Sequence, residues 1–376
     1  MTTPEPHPVV LWELTRLCDL HCKGCPSGAS ERRDPNELST YEAYKTIDQI
    51  AALAPRELII SGGDPLERDD VDQIIDYARR RGLEPSLVLS PTNELKSFAI
   101  ENLQASGLTT VVFSIDGSIP AIHESIHKIA NTFAATLRAI RWAESAGMRI
   151  EINTVVTRNN MNDLDAITEL IRTLGIVRWN VHFIVPTGAS RELEILTAME
   201  VERVFAMLDE IRLHEKFAVR VVEAQHYRRF RLQRLLESRL AAGNEKWSDF
   251  SGYENEAAEN PRDVLDAALD GARGFIYISH SGEVRPSEFA PHSAGNLRYR
   301  PLSAIYRNSD LFVALRDPNN LHGKCLHCDF RMLCGGSRAR AYAMTGDLFG
   351  ADPLCAYEPA GQPSVAFVSR GKEAVT

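Results

Sequence analysis

Cys18, Cys22 and Cys25 stand in a C-x3-C-x2-C arrangement within Leu17-Cys18-Asp19-Leu20-His21-Cys22-Lys23-Gly24-Cys25-Pro26. Thiolates this close in sequence wrap one metal centre. Three of them are one too few to close a tetrahedral zinc site or a fully ligated cubane iron-sulfur cluster, so one metal position stays open. An open iron is a place for chemistry. A zinc loop completed by His21 or a distant residue, or three unrelated core cysteines, fits the same spacing. A second group lies far downstream: Cys325 and Cys328 flank Leu326-His327, Cys334 follows after five residues, and Cys355 after twenty more. Four thiolates complete a site, as tetrahedral zinc or as a fully ligated 4Fe-4S cluster. The two groups account for all seven cysteines of the chain.

An odd cysteine count with no export signal argues against a disulfide framework and for metal ligation. The first residues, Met-Thr-Thr-Pro-Glu-Pro-His-Pro, carry neither a basic flank nor an apolar core, and no apolar run reaches membrane-spanning length. The expectation is a cytoplasmic protein without a membrane partner. The formal net charge of -9 argues against broad attraction to nucleic acid or anionic membrane. A length of 376 residues, 44% hydrophobic and 25% charged, suits one large α/β domain with a smaller companion.

The elements that must position these cysteines follow a repeating pattern of apolar strand, loop and amphipathic helix from residue 8 to about 190. Candidate strands are 8–14, 56–61, 84–90, 108–115, 148–156 and 177–186, giving six β-α units. Ser39-Thr40-Tyr41-Glu42 opens the first helix as a capping box, and Ala146-Gly147 ends the fourth. Strands separated by helices pair in parallel and present their loops at the carboxyl ends. The first cysteine loop and Ser61-Gly62-Gly63-Asp64-Pro65 therefore share one rim. Strand four ends in Ser114-Ile115-Asp116-Gly117, and strand five places Asn153 near the same rim.

Beyond these units, a helix at 197–215 and a strand at 217–223 are expected, then an arginine-rich stretch from His226 to Leu236. Its arginines suit bidentate recognition of a substrate carboxylate, or simply the solvated face of a helix. Residues 240–262 read as a linker or lid. Gly274 to Arg285 reads as a β-hairpin turning at Ser281-Gly282.

The C-x3-C-x2-C loop, followed one β-α unit later by Gly62-Gly63-Asp64-Pro65, resembles the radical S-adenosylmethionine (SAM) superfamily. In that family three cysteines hold three irons of a 4Fe-4S cluster. SAM chelates the fourth through its amino and carboxylate groups and is cleaved reductively to a 5'-deoxyadenosyl radical that abstracts hydrogen. The resemblance implies a partial (β/α)6 TIM-like barrel, with Gly62, Gly63 and Asp64 at the amino end of SAM and Ser114, Asp116 and Asn153 at its carboxylate and ribose. Phe183 to Gly188 would pack the adenine. Two departures stand out. Gly24 replaces the aromatic or histidine common before the third cysteine, and His123-Glu124-Ser125-Ile126-His127-Lys128 replaces a segment whose arginine pairs with the SAM carboxylate. Lys128, His127 and Arg158 are the candidate cations.

The region from Phe275 to Cys355 resembles a SPASM-type iron-sulfur domain, which typically holds two auxiliary clusters. Ser279 or its neighbours, Ser287, and Ser337-Arg338 stand where ligands of the first would be, so the resemblance implies one auxiliary cluster on Cys325, Cys328, Cys334 and Cys355. The run Cys334-Gly335-Gly336-Ser337-Arg338-Ala339-Arg340 looks closest to the heme and heme d1 synthesis branch. The implied organisation is a barrel over 1–215, a bridge over 216–269, an iron-sulfur domain over 270–358 and a tail over 359–376. The implied cofactors are SAM and two 4Fe-4S clusters. The implied partners are a tetrapyrrole or other small carboxylated substrate and an external electron donor such as flavodoxin or ferredoxin. A maturase acting on a ribosomally made peptide and a non-catalytic iron-sulfur or zinc regulator are the alternatives.

Overall fold

Seven parallel strands frame the computed structural model, which describes residues 7–20, 22, 25, 28–92, 95–241 and 274–359. They are β1 (Val9–Glu13), β2 (Glu57–Ser61), β3 (Pro85–Val88), β4 (Thr110–Ser114), β5 (Arg149–Val156), β6 (Arg178–Phe183) and β7 (Ala218–Val222), each paired in parallel with the next. Between them run α1 (Thr40–Ala52), α2 (Val71–Arg80), α3 (Ser97–Ala105), α4 (Pro120–His127), α5 (Thr132–Ser145), α6 (Leu164–Arg172) and α7 (Ala198–His214). The capping box of α1 is formed, with Ser39 accepting from Glu42 N–H and Glu42 reaching back to Ser39 N–H.

Helix spacing explains the outer layer. α2 buries Val71, Ile74, Ile75 and Ala78, and α6 buries Leu164, Ile167, Thr168 and Ile171, one stripe each along the helix. These stripes meet the outward residues of the strands, such as Trp12, Ile60, Val111, Ile152 and Trp179, in one continuous core. Each fully buried aliphatic side chain there contributes roughly 1.5–3 kcal/mol.

The inward face is different in kind. Strand alternation turns Glu57, Glu151, Arg178 and Arg220 inwards, and the register aligns Ser114, Asn153, Asn180 and Arg220 in one row across four strands. The sheet curls until Glu57 of β2 reaches Arg178 of β6 at 2.6 Å and Arg220 of β7 at 2.7 Å. Burial opposes the charge on Glu57, yet the two guanidinium groups outweigh it and hold its pKa at about 2. Val222 of β7 packs on the inward cluster of Val9, Leu11, Phe275 and Tyr277, so the first and seventh strands face one another.

Three features differ from the sequence-based expectation. The strand expected in the bridging stretch is β7, and it pairs with β6 from Arg178↔Ala218 to His182↔Val222, extending the parallel sheet. Two helices rather than one separate β4 from β5, because Lys128 and Asn131 adopt left-handed backbone (φ +61° and +65°) and break the run. The helix that ends at Ala146 is thus α5, the fifth. β8 (Phe275–Ile278) adds in parallel to the free edge of β1, continuing through β9 (Glu283–Arg285) and β10 (Gly295–Asn296), so barrel and C-terminal region share one ten-stranded sheet. The β8–β9 hairpin turns at Gly282 (φ +81°), as its sequence predicts. After α8 (His226–Ala241), the expected linker lies outside the described residues from 242 on, as does the tail from 360. α9 (Leu302–Asn308), α10 (Asp310–Arg316) and α11 (Arg338–Thr345) complete the chain, and no described helix is long and apolar enough to cross a membrane.

Candidate metal and cofactor site

The first cysteine loop leaves β1 and closes on itself at a neck. Cys18 N–H donates to Ser30 O (3.1 Å), and Ser30 N–H to Arg16 O (2.8 Å). Within the loop Cys25 N–H donates to Cys22 O at 3.2 Å. His21 and Gly24 lie outside the described residues. The glycine pair after β2 underpins the outgoing arm: Gly63 N–H donates to Thr15 O and Asp64 N–H to Leu17 O, both at 2.7 Å. A Cβ would stand 2.6 Å from Thr15 O at Gly62 and 2.3 Å from Leu17 O at Gly63, so only glycine permits this approach. The Asp64 carboxyl is buried, accepting from Leu66 N–H (3.0 Å) and the Thr92 hydroxyl, and burial pushes its pKa up to about 6.

Ser114 and Asn153 lie side by side in register, with Asn153 Oδ1 accepting from Asn180 Nδ2 at 3.1 Å. Asp116 is buried; it accepts from Val155 N–H (2.6 Å) and pairs with His127 Nε2 (2.7 Å). Burial would lower the His127 pKa, but hydrogen bonds to Asp116 and to Cys22 outweigh it and push it up to about 10. Of the three candidate cations, His127 is the one paired with Asp116, and Cys22 lies near enough to help raise its pKa; Arg158 pairs with Glu200 at 3.1 Å and Lys128 is exposed. Asp116, His123 and His127 offer ligand atoms within 4.8 Å of one another. Hydrogen bonds explain the cluster: Asp116 N–H donates to His123 Nδ1 (3.1 Å), and the His123 and His127 rings lie tilted with centroids 4.3 Å apart.

His280, in the β8–β9 turn, is a brace that local sequence does not signal. Its Nδ1 meets Glu13 Oε2 at 2.7 Å and its Nε2 meets Asp34 Oδ2 at 3.0 Å, joining the hairpin to both sides of the cysteine loop. Burial opposes protonation of His280, but its hydrogen bonds to Glu13 and Asp34 raise its pKa overall.

Cys325, Cys328, Cys334 and Cys355 line one cavity together with His226 and Arg229 of α8. Consecutive left-handed glycines, Gly335 and Gly336, turn the chain after Cys334 and aim Gly336 N–H at its Sγ (3.3 Å). The same step recurs at Cys18 with Leu20 N–H and at Cys328 with Phe330 N–H, both at 3.4 Å. Burial pushes the thiol pKa up to about 12 at Cys18 and about 11 at Cys355, and raises it at Cys328 and Cys334. Thiols so desolvated ionise on a bound cation, which is the behaviour of a metal-thiolate donor set.

Ser287 Oγ donates to Glu223 Oε1 (2.9 Å) and Ser337 Oγ to Glu223 Oε2 (2.6 Å). Two of the serines flagged as replacing cluster ligands therefore converge on one buried carboxyl. Three arginines of α8 meet acids of α7, Arg229 pairing with Glu202, Arg231 with Asp209 and Arg234 with Asp209 and Glu210, while Arg228 Nη1 donates to Leu333 O at 3.3 Å. Arg340 and Asp352, both fully buried, pair at 2.9 Å, and Arg340 Nη1 also donates to Ile184 O at the end of β6 (3.3 Å). The segment from Phe183 to Gly188 is thereby fixed to the C-terminal region.

The model of the radical SAM superfamily matches residues 12–171. The chain is 34% identical to the AdoMet-dependent heme synthase of Methanosarcina barkeri strain Fusaro, over 93% of this chain and 97% of that protein. It is 27% identical to the PqqA peptide cyclase of Granulibacter bethesdensis, over 96% and 90% respectively. Its fold is similar to that of Streptococcus suis SuiB bound to S-adenosylmethionine, with a TM-score of 0.71 at 16% identity, covering 94% of this chain and 78% of that one. With its cysteine loop, supporting glycines and parallel sheet, the chain is an enzyme of the radical SAM superfamily, using SAM and a 4Fe-4S cluster.

Proposed function

We propose that this enzyme acts on a tetrapyrrole or another small carboxylated molecule, with one auxiliary cluster beside the SAM-binding one. Full-length similarity to an AdoMet-dependent heme synthase at 34% identity carries the substrate reading. Cys18, Cys22 and Cys25 would hold the SAM-binding cluster, and Gly62, Gly63, Ser114, Asp116 and Asn153 would line the SAM site. Asp64, accepting from Leu66 N–H and the Thr92 hydroxyl, would join them at the amino end of SAM. Cys325, Cys328, Cys334 and Cys355 would hold the auxiliary cluster, in the region from about 270 to 358. The shared cavity of the four thiols supports that assignment.

When bound, the cluster and SAM supply the 5'-deoxyadenosyl radical, after one-electron reduction by a donor such as flavodoxin or ferredoxin. The chain's part is to orient and to exclude. The glycine pair fixes the cysteine loop, the His127 imidazolium sets positive charge against Cys22, and the hairpin with α11 covers the barrel mouth, keeping water from a reactive carbon centre.

Anaerobic reconstitution should give about eight irons and little zinc per chain, four per cubane. Replacing Cys18, Cys22 and Cys25 together by Ala should halve the iron and abolish 5'-deoxyadenosine formation, whereas Cys325→Ala should spare SAM cleavage. Incubation with iron tetrapyrroles bearing propionates should consume the tetrapyrrole. Similarity to a PqqA peptide cyclase supports a peptide substrate as the second reading. Turnover of a precursor peptide with every tetrapyrrole carboxylate left untouched would replace the first reading by the second.

A further inference from the structure

The cavity of the C-terminal cysteines holds two hydrogen-bond donors without acceptors. His226 is fully buried, and neither ring nitrogen has a hydrogen-bond partner. The Leu354 backbone approaches the ring without completing a hydrogen bond, and Asp352 Oδ2 stands 3.6 Å from Nδ1. Asp352 is saturated by Arg340, Ser337 N–H and Leu354 N–H. Arg229, one turn on along the same face of α8, is 5% exposed; its terminal nitrogens bind Glu202 and Gln233, but its Nε–H has no acceptor. Buried donors left unsatisfied each cost about 1–3 kcal/mol, so two on one helix face, both lining the cavity of four thiols, point to an acceptor that belongs there. Sulfur is the acceptor this cavity presents.

We infer that His226 and Arg229 donate hydrogen bonds to the sulfur of the auxiliary cluster and raise its one-electron potential. This rests on the auxiliary-cluster assignment proposed above. Reduction adds one electron and no proton to the [4Fe-4S] core, taking it from the 2+ to the 1+ state. The extra negative charge strengthens N–H···S bonds and is attracted by the Arg229 guanidinium, so both groups favour the reduced form. His226, fully buried, acts through its N–H dipole, and the Arg229 guanidinium contributes the charge. α8 begins four residues beyond β7, so the helix that biases the cluster grows directly from the barrel mouth.

The test uses the full chain carrying Cys18→Ala, Cys22→Ala and Cys25→Ala, reconstituted with iron and sulfide, in which only the auxiliary cluster contributes to EPR-monitored redox titration. Adding His226→Leu should lower the reduction equilibrium constant about tenfold, which for one electron is ~59 mV, while His226→Gln, which keeps an N–H, should recover most of the shift. Pulsed EPR of the reduced cluster in 15N-histidine-labelled protein, with His226 intact, should show a weak nitrogen coupling that is absent in His226→Gln. An iron-free triple variant would overturn the cluster assignment itself. A loaded cluster whose potential is the same in His226→Leu, or which shows no histidine coupling with His226 intact, would overturn the inference alone.

Discussion

Gly63→Ala isolates what the second β-strand does for the first cysteine loop. The new Cβ would lie 2.3 Å from Leu17 O and 2.7 Å from Arg16 O, and neither atom is at the end of a side chain that can swing away. The arm from Thr15 to Leu17 must move, breaking Gly63 N–H to Thr15 O and Asp64 N–H to Leu17 O. Two net backbone hydrogen bonds at about 0.5–1.5 kcal/mol each, with about 1–3 kcal/mol of overpacking, sum to about 2–6 kcal/mol, concentrated on the segment that orients Cys18. Gly28→Ala in the same loop is the control. Its φ of +60° has open space around it, so it meets only the left-handed penalty of ~1–2 kcal/mol. Iron analysis and 5'-deoxyadenosine formation after anaerobic reconstitution should show Gly63→Ala losing about half its iron and its SAM cleavage, with Gly28→Ala close to wild type. A Gly63→Ala protein with full iron and wild-type cleavage would refute the claim that backbone contact with β2 shapes the loop.

Two further substitutions probe the frame. Glu57→Gln leaves Arg178 and Arg220 without their shared carboxylate and should destabilise by about 3–5 kcal/mol, read from the urea midpoint. Arg220→Met should cost less, because Glu57 keeps Arg178; the reverse order would contradict the shared-pair geometry. His280 has a folded pKa above its ordinary value of 6.5, so its contribution is complete below that value and is lost as pH rises through the higher folded one. The melting-temperature gap between the metal-free wild type and His280→Gln should therefore be widest at acid pH and close as pH rises. A gap that widens with pH would show that His280 binds Glu13 and Asp34 in its neutral form.

What the sequence made legible was local in chain distance. C-x3-C-x2-C, Gly62-Gly63, the Ser39 capping box and the Ser281-Gly282 turn each span a few residues, and the period of apolar positions marks strands with helices between them. The partners that complete the site are remote. Glu13 and His280 are 267 residues apart, and Ser337 and Glu223 are 114 apart, so no spacing rule connects them. The arginines of α8 were read as substrate-facing or solvated because their acidic partners stand on α7, at offsets set by helix packing rather than by sequence. The strand at 217–223 lies beyond the six β-α units of the sequence pattern, and its buried Val219 and Val221 join the core because it pairs with β6 as a seventh strand. Of the residues expected at SAM, Asp64 and Asp116 prove to be engaged by the chain itself, which a carboxylate in a motif does not reveal.

The two serines that meet at Glu223 favour one auxiliary cluster over two. Ser287 comes from the segment after β9, Ser337 caps α11, and both hydroxyls aim at the same carboxyl group. Glu223 itself is held in left-handed backbone (φ +56°), a conformation that a non-glycine residue keeps only when its surroundings enforce it. Burial raises its pKa against the pull of the Ser337 hydroxyl, and Glu288, pushed up to about 8 by burial and then by Glu223 and Glu13, adds a second carboxyl to the same region. A cubane needs thiolates and space where this chain has placed hydroxyls and an acid. Ser287→Cys with Ser337→Cys should accordingly leave the iron content of the reconstituted enzyme unchanged, because Glu223 still occupies the point on which the two side chains converge. Four additional irons in that double variant would mean that the serines alone, and not the carboxyl between them, keep a further cluster out.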